Sequence, residues 1–131
     1  MSRGLLLDTH TLLWYSVDPQ RLPDRVLSLV RRSQTIYVSA VTAWEMSIKF
    51  RLGKLPQAAT LIDNYHLRLA QYGFGELSFT GVHALRDRDL SHNHKDPFDR
   101  ALVAQAVTED LAIVSSDPQL AAFSEVVVVW G

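Results

Sequence analysis

The sequence predicts an α/β protein, a three-layer α/β/α sandwich around a central, mainly parallel sheet. Short, wholly apolar runs recur along the chain and stop at polar residues, as strands buried on both faces do. Between them lie longer segments with apolar residues at helical spacing. No repeat, low-complexity segment or composition break interrupts this alternation, so residues 1–131 form a single domain.

The elements follow in order. Gly4 to Leu7 is an apolar strand that stops at Asp8, and Thr9 to Val17 is a helix with Leu12, Leu13 and Val17 on one face. Asp18-Pro19 ends it. Pro23 to Arg32 is a second helix, with the Arg31-Arg32 pair suited to its C-terminus. Thr35 to Val38 is a β-rich strand ending at Ser39. A helix through Trp44, Ile48 and Leu52 is stopped by Gly53. Lys54 to Gln57 is a linker, and Ala58 to Tyr72 reads as one amphipathic helix. Glu76 to Phe79 is a weak strand, Thr80 caps a helix reaching about Arg88, and Asp87 to Lys95 is a polar, exposed loop. Asp96 is placed as an N-cap with Pro97 at the first position of an apolar helix. Leu111 to Ser115 and Val126 to Trp130 complete the strands. Trp14, Trp44 and Trp130 read as core residues.

Composition excludes several classes. Hydrophobic residues are 47% of the chain, but no run approaches the roughly 18 residues of a membrane span. No charged-then-apolar signal opens it, and the expectation is a cytoplasmic protein that does not engage a membrane. Cysteine is absent, which excludes disulfides, thiolate zinc sites and a cysteine nucleophile. The net charge of -1 comes from 13 basic and 14 acidic residues, and with four acids neutralised by a cation the balance becomes +3.

The acids fall in a pattern. In open parallel sheets ligands bind at the carboxyl ends of the strands. Asp8 directly follows the first strand, Asp117 follows the fourth by two residues, and Asp99 lies in the first turn of the preceding helix. Glu45 stands six residues beyond Ser39, roughly 9 Å along a helix, and a side chain leaning toward its helix N-terminus reaches back toward the sheet edge. Each acid also has a plain structural use. Asp8, Asp96 and Asp117 can cap helices, and Thr42-Ala43-Trp44-Glu45 fits a capping box. Caps alone do not explain why three strand ends carry acid. Clustered carboxylates repel one another unless a cation sits among them, and oxygen-only ligands suit Mg²⁺ or Mn²⁺ better than zinc. Such a site activates water and neutralises charge at a phosphodiester.

Leu6-Leu7-Asp8-Thr9, Ser39-Ala40-Val41 through Glu45, Asp96-Pro97-Phe98-Asp99-Arg100 and Ser115-Ser116-Asp117 together resemble the PIN-domain nucleases, in particular the VapC-type toxins of bacterial toxin–antitoxin pairs. The likeness covers nearly the whole chain, in order. It implies a PIN-like fold and a Mg²⁺- or Mn²⁺-dependent endoribonuclease acting on RNA. It also implies a homodimer restrained by a cognate antitoxin protein. Carried over by position, Asp8, Glu45, Asp99 and Asp117 are the catalytic, metal-holding acids. Ser115 is the supporting hydroxyl, where threonine is commoner in the family, and Thr9 and Asp96 are further supporting residues.

Other residues carry weaker readings. Lys49, four residues after Glu45, is either a helix ion pair or a phosphate contact, and Arg100 either an RNA contact or an outward-facing surface arginine. His10 is a supporting or plain surface residue, and His92-Asn93-His94 reads as solvated loop. Apolar residues between Leu55 and Tyr72 are expected to serve a dimer or an antitoxin groove. Two other functions compete. A receiver or phosphoryl-transfer domain would need an aspartate where His10 stands or at the third strand, and the sequence has neither. A catalytically inactive PIN-like binding module would not need the complete acid set. No GxGxxG or P-loop supports a nucleotide cofactor.

Overall fold

A computed structural model of the chain describes residues 3–130. Its centre is β1 (Leu5–Leu7), whose three residues are all buried. β1 pairs in parallel with β2 (Ile36–Ser39) on one side and β4 (Ala112–Val114) on the other. β3 (Gly75–Leu77) extends the sheet beyond β2 and β5 (Val128–Val129) beyond β4. The order is β3-β2-β1-β4-β5, and every pairing is parallel. The chain therefore builds outward from β1 in one direction, returns, and builds outward in the other. Between β1 and β4 lies the reversal at which open α/β sheets hold their ligands.

Strand periodicity sorts the core into two layers. Leu5, Leu7, Ile36, Val38, Ala112 and Val114 face one side, where they meet Leu12 and Leu13 of α1 (Thr9–Val17) and Val26 and Val30 of α2 (Asp24–Arg32). Met46 of α3 (Ala40–Arg51), Leu61 of α4 (Ala59–Asp63) and Leu69 of α5 (Tyr65–Tyr72) join the same cluster. Leu6 and Ile113 face the other way, onto Leu102, Val103 and Ala106 of α7 (Pro97–Glu109), Leu120 of α8 (Pro118–Ala121), and Phe123. The short α6 (Gly81–Arg86) packs beside α7. The result is the expected sandwich, with its sheet wholly parallel.

Several expectations are corrected. The single helix over 58–72 is two, parted at Asn64, whose backbone leaves the helical region (φ −122°, ψ 29°). The Asn64 side-chain amide donates to the Thr60 carbonyl at 2.9 Å, a local bond that competes with the helix ladder. α5 ends at Gly73, which takes φ +77°, open to glycine at little cost. The helix after Thr80 stops at Arg86 and tightens into a 3-10 turn over Asp87–Asp89. Trp14 and Trp130 pack against the core, but Trp44 is 62% exposed, because α3 turns Met46 inward and Trp44 out.

Candidate metal centre

Each acid arrives by a local rule. Asp8 ends β1 and caps α1, one carboxylate oxygen accepting from the Thr11 N–H at 2.8 Å. The other oxygen accepts from the hydroxyl of Ser115, the residue that follows β4. Burial pushes the Asp8 carboxyl above its ordinary pKa, against the Ser115 and Thr11 hydrogen bonds and the nearby His10, which favour the ionised form. The Ser115 hydroxyl in turn accepts from the Asp117 N–H at 3.0 Å, and Asp117 caps α8 by accepting from the Gln119 N–H at 2.9 Å. Capping and site-building are thus not alternatives for Asp8. The N-cap uses one oxygen and leaves the other for the neighbouring strand.

Glu45 is not part of a capping box. α3 begins directly at the end of β2, with Ser39 as its N-cap, the hydroxyl accepting from the Val41 N–H at 3.0 Å. That start places Glu45 in the second turn, where it is 4% exposed. One of its oxygens accepts from the Thr9 hydroxyl and the other from the Lys49 ammonium. Burial works against the Lys49 charge, yet Glu45, with Asp96 and Asp99 further off, holds its pKa above the ordinary value. Lys49 therefore forms the i,i+4 helix ion pair with Glu45, half-buried among the acids.

Asp99 stands in the first turn of α7. Asp96 caps that helix, accepting from the Phe98 N–H at 2.9 Å, with Pro97 at the first position. Burial pushes the Asp99 carboxyl up from 3.8 to about 6, and the negative charges of Asp96, Asp117 and Glu45 push the same way, opposed by a hydrogen bond with His94. Asp99 therefore feels the cap of its own helix and acids from two other elements, α3 and the start of α8. Asp8 connects to this group through Ser115 to Asp117, and through its neighbour Thr9 to Glu45.

The tightest grouping was not foreseen. His94, Asp96 and Asp99 each offer a ligand atom within 4.8 Å of the others, and no three of Asp8, Glu45, Asp99 and Asp117 lie that close. His94 is not a solvated loop residue: its side chain is 20% exposed and its Nε2 lies 2.9 Å from Asp99 Oδ2. The one available signal was position, since a side chain two residues before an N-cap can hang over the first helical turn. Arg100 is not an outward-facing surface arginine, its side chain being 17% exposed. Its guanidinium donates to the Asp87 carboxylate and to the carbonyls of Asp87, His92 and His94, at 2.9, 2.7 and 3.0 Å for the carbonyls. All the bonds it makes lie within the chain, and they pin the 87–95 loop to α7. His10 is exposed, its ring against Trp14.

The family model of the PIN domain matches residues 5–126. The chain belongs to the PIN-domain family. No curated protein matches it. Its PIN fold is similar to that of a chain in the structure of VapBC2 from Rickettsia felis bound to a DNA fragment from their promoter. There the identity is 15% and the TM-score 0.69, over 97% of this chain and 98% of that one. A chain in the structure of DNA-bound VapBC from Salmonella typhimurium is similar at 14% identity and a TM-score of 0.68, over 98% of both. The donors gathered in this PIN domain are carboxylate oxygens, a serine hydroxyl and one imidazole. The mutual repulsion that weighs on Asp99 is the condition a divalent cation relieves, so the residues fit such an ion.

Proposed function

We propose that the protein is a metal-dependent endoribonuclease, the toxin of a toxin–antitoxin pair. The observation that carries this reading is Asp99. In a PIN domain, in the first turn of α7, it is a half-buried carboxyl crowded by the charges of Asp96, Asp117 and Glu45. Asp8, Glu45, Asp99 and Asp117 would hold Mg²⁺ or Mn²⁺, ions suited to oxygen ligands. A bound cation would supply an activated water and neutralise charge at the scissile phosphodiester.

The protein's own groups prepare this chemistry. Ser115 and Thr11 fix the Asp8 carboxylate in one orientation, and Thr9 and Lys49 do the same for Glu45. Lys49 keeps a positive charge beside the acids, where an RNA phosphate would meet it. Purified protein is expected to cut single-stranded RNA in Mg²⁺ or Mn²⁺ and to stop when EDTA is added. Undiminished cutting in EDTA rejects the reading. A receiver domain is disfavoured, since β3 ends at Leu77 and Ser78 follows, with no phospho-acceptor aspartate there.

The partners follow from the same reading. The structural neighbours are described as VapBC assemblies, which supports a cognate antitoxin. The expected apolar surface on 55–72 is mostly core, with Leu67 its one strongly exposed large apolar side chain. Exposed apolar residues stand instead on α3, on α6 and in the segment before α6. Trp44, Phe79, Val82 and Leu85 are 62%, 39%, 68% and 75% exposed, and a groove of about 430 Å³ runs between Trp44, Phe79 and Phe98. This is the face we assign to a homodimer. No helix among the described residues is long and apolar enough to cross a membrane.

A further inference from the structure

We propose that His94 is a nitrogen ligand of the same cation, beside Asp99, and that it biases the site toward Mn²⁺ over Mg²⁺. The inference rests on the metal reading above and extends it to a residue outside the four acids. Two ligands set at right angles on one cation, each about 2.1 Å from it, stand roughly 3.0 Å apart. His94 Nε2 and Asp99 Oδ2 are 2.9 Å apart, so a cation can take the place of the proton between them with both atoms where they already are. Asp96 brings a further carboxylate oxygen within the same 4.8 Å. Asp96 Oδ1 also accepts from the Phe98 N–H at the α7 N-cap.

The position of His94 is determined independently of Asp99. Arg100 holds the carbonyls of both His92 and His94, and Asp87 anchors the guanidinium from the other end of the loop. The His92 ring stacks on the His94 ring, with centroids 6.1 Å apart and planes at 17°, and its own edge meets Phe123 at 5.0 Å. A loop residue meant only for solvent does not need three side chains to aim it. Imidazole is a softer donor than carboxylate, so it adds affinity for a first-row transition ion and little for Mg²⁺.

The experiment is Mn²⁺ binding, read by titration and by pulsed electron paramagnetic resonance. Wild-type protein is expected to bind Mn²⁺ and to show the echo modulation of a directly bonded nitrogen. His94→Gln keeps a hydrogen-bonding side chain but is expected to lose that modulation and to bind Mn²⁺ about tenfold more weakly or worse. Its Mg²⁺ affinity should change severalfold less. Because the modulation is measured on the unmodified protein, a variant that folds poorly does not remove the test. Mn²⁺ binding without nitrogen modulation, or modulation that persists in His94→Gln, overturns the assignment of His94 and leaves the acid site standing. Wild-type protein that binds neither ion overturns the metal reading itself, and this inference with it.

Discussion

Replacing Asp99 by Asn should make the cation-free protein more stable while abolishing cleavage. The magnitude follows from the carboxyl's environment. An acid whose pKa is about 6 when folded and 3.8 when unfolded holds its proton more tightly in the folded state. Stability is then lost as pH rises from about 4 to about 6, and stays lost above that window. Two pKa units correspond to about 3 kcal/mol at neutral pH. The side chain is 18% exposed, so solvent screens little of this. Asn keeps the size and still offers an oxygen to His94, and the loss of the charge-assisted bond is already contained in the value of about 6. The gain is therefore about 3 kcal/mol, or several degrees in Tm for a chain of this length.

The assay is a pair of melting curves in EDTA from pH 4 to pH 8. The two proteins should melt close together at pH 4 and separate through pH 6, the Asn variant staying higher. Adding Mg²⁺ or Mn²⁺ should raise the wild-type Tm and barely move the variant, since a ligand stabilises only the state that binds it. An Asn variant that is less stable at pH 8 in EDTA, or one that still cuts RNA, would refute the reasoning.

Three further outcomes are expected. Asp96→Asn retains the α7 cap and should keep its stability and much of its cleavage, whereas Asp96→Ala should lose about 0.5–2 kcal/mol in denaturant melts. Arg100→Ala frees three carbonyls and the Asp87 carboxylate, so it should cost about 2 kcal/mol. It should also speed amide exchange over 87–95, the segment those bonds hold to α7. Replacing Trp44 and Leu85 together by Ser should convert a dimer to a monomer in light scattering, and should lower Tm only by the lost, concentration-dependent stabilisation of the dimer, as both are exposed in the single chain.

Local signals were enough for much of the fold and for part of the site. Strand runs such as Leu5–Leu7 and Ala112–Val114 are apolar throughout because both faces of each are covered, and that pattern is visible in one dimension. The caps at Asp8, Asp96 and Asp117 are equally local, each bonding a backbone N–H two or three residues on. Placing acids at strand ends needed only the order of the elements and the rule that parallel sheets bind at one edge.

What the tertiary structure decided were the partners of side chains whose neighbours are distant in sequence. Periodicity assigns a residue to a face of its own element, not to what comes to lie against that face. Trp44 has the same local pattern as a core residue, and only the packing of α3 across the sheet edge leaves it outside. Glu45 fits a capping box in sequence, but its partner is Thr9, 36 residues away and brought near by the pairing of β1 with β2. Arg100 and His94 read as surface residues until Asp87, 13 residues before Arg100, is seen to close the loop beneath them. The sequence by itself determined the layers, the sheet and the edge where the acids gather. Which atoms meet at that edge was decided by burial, since a desolvated acid needs a compensating charge or hydrogen bond, and the nearest one is chosen by the fold.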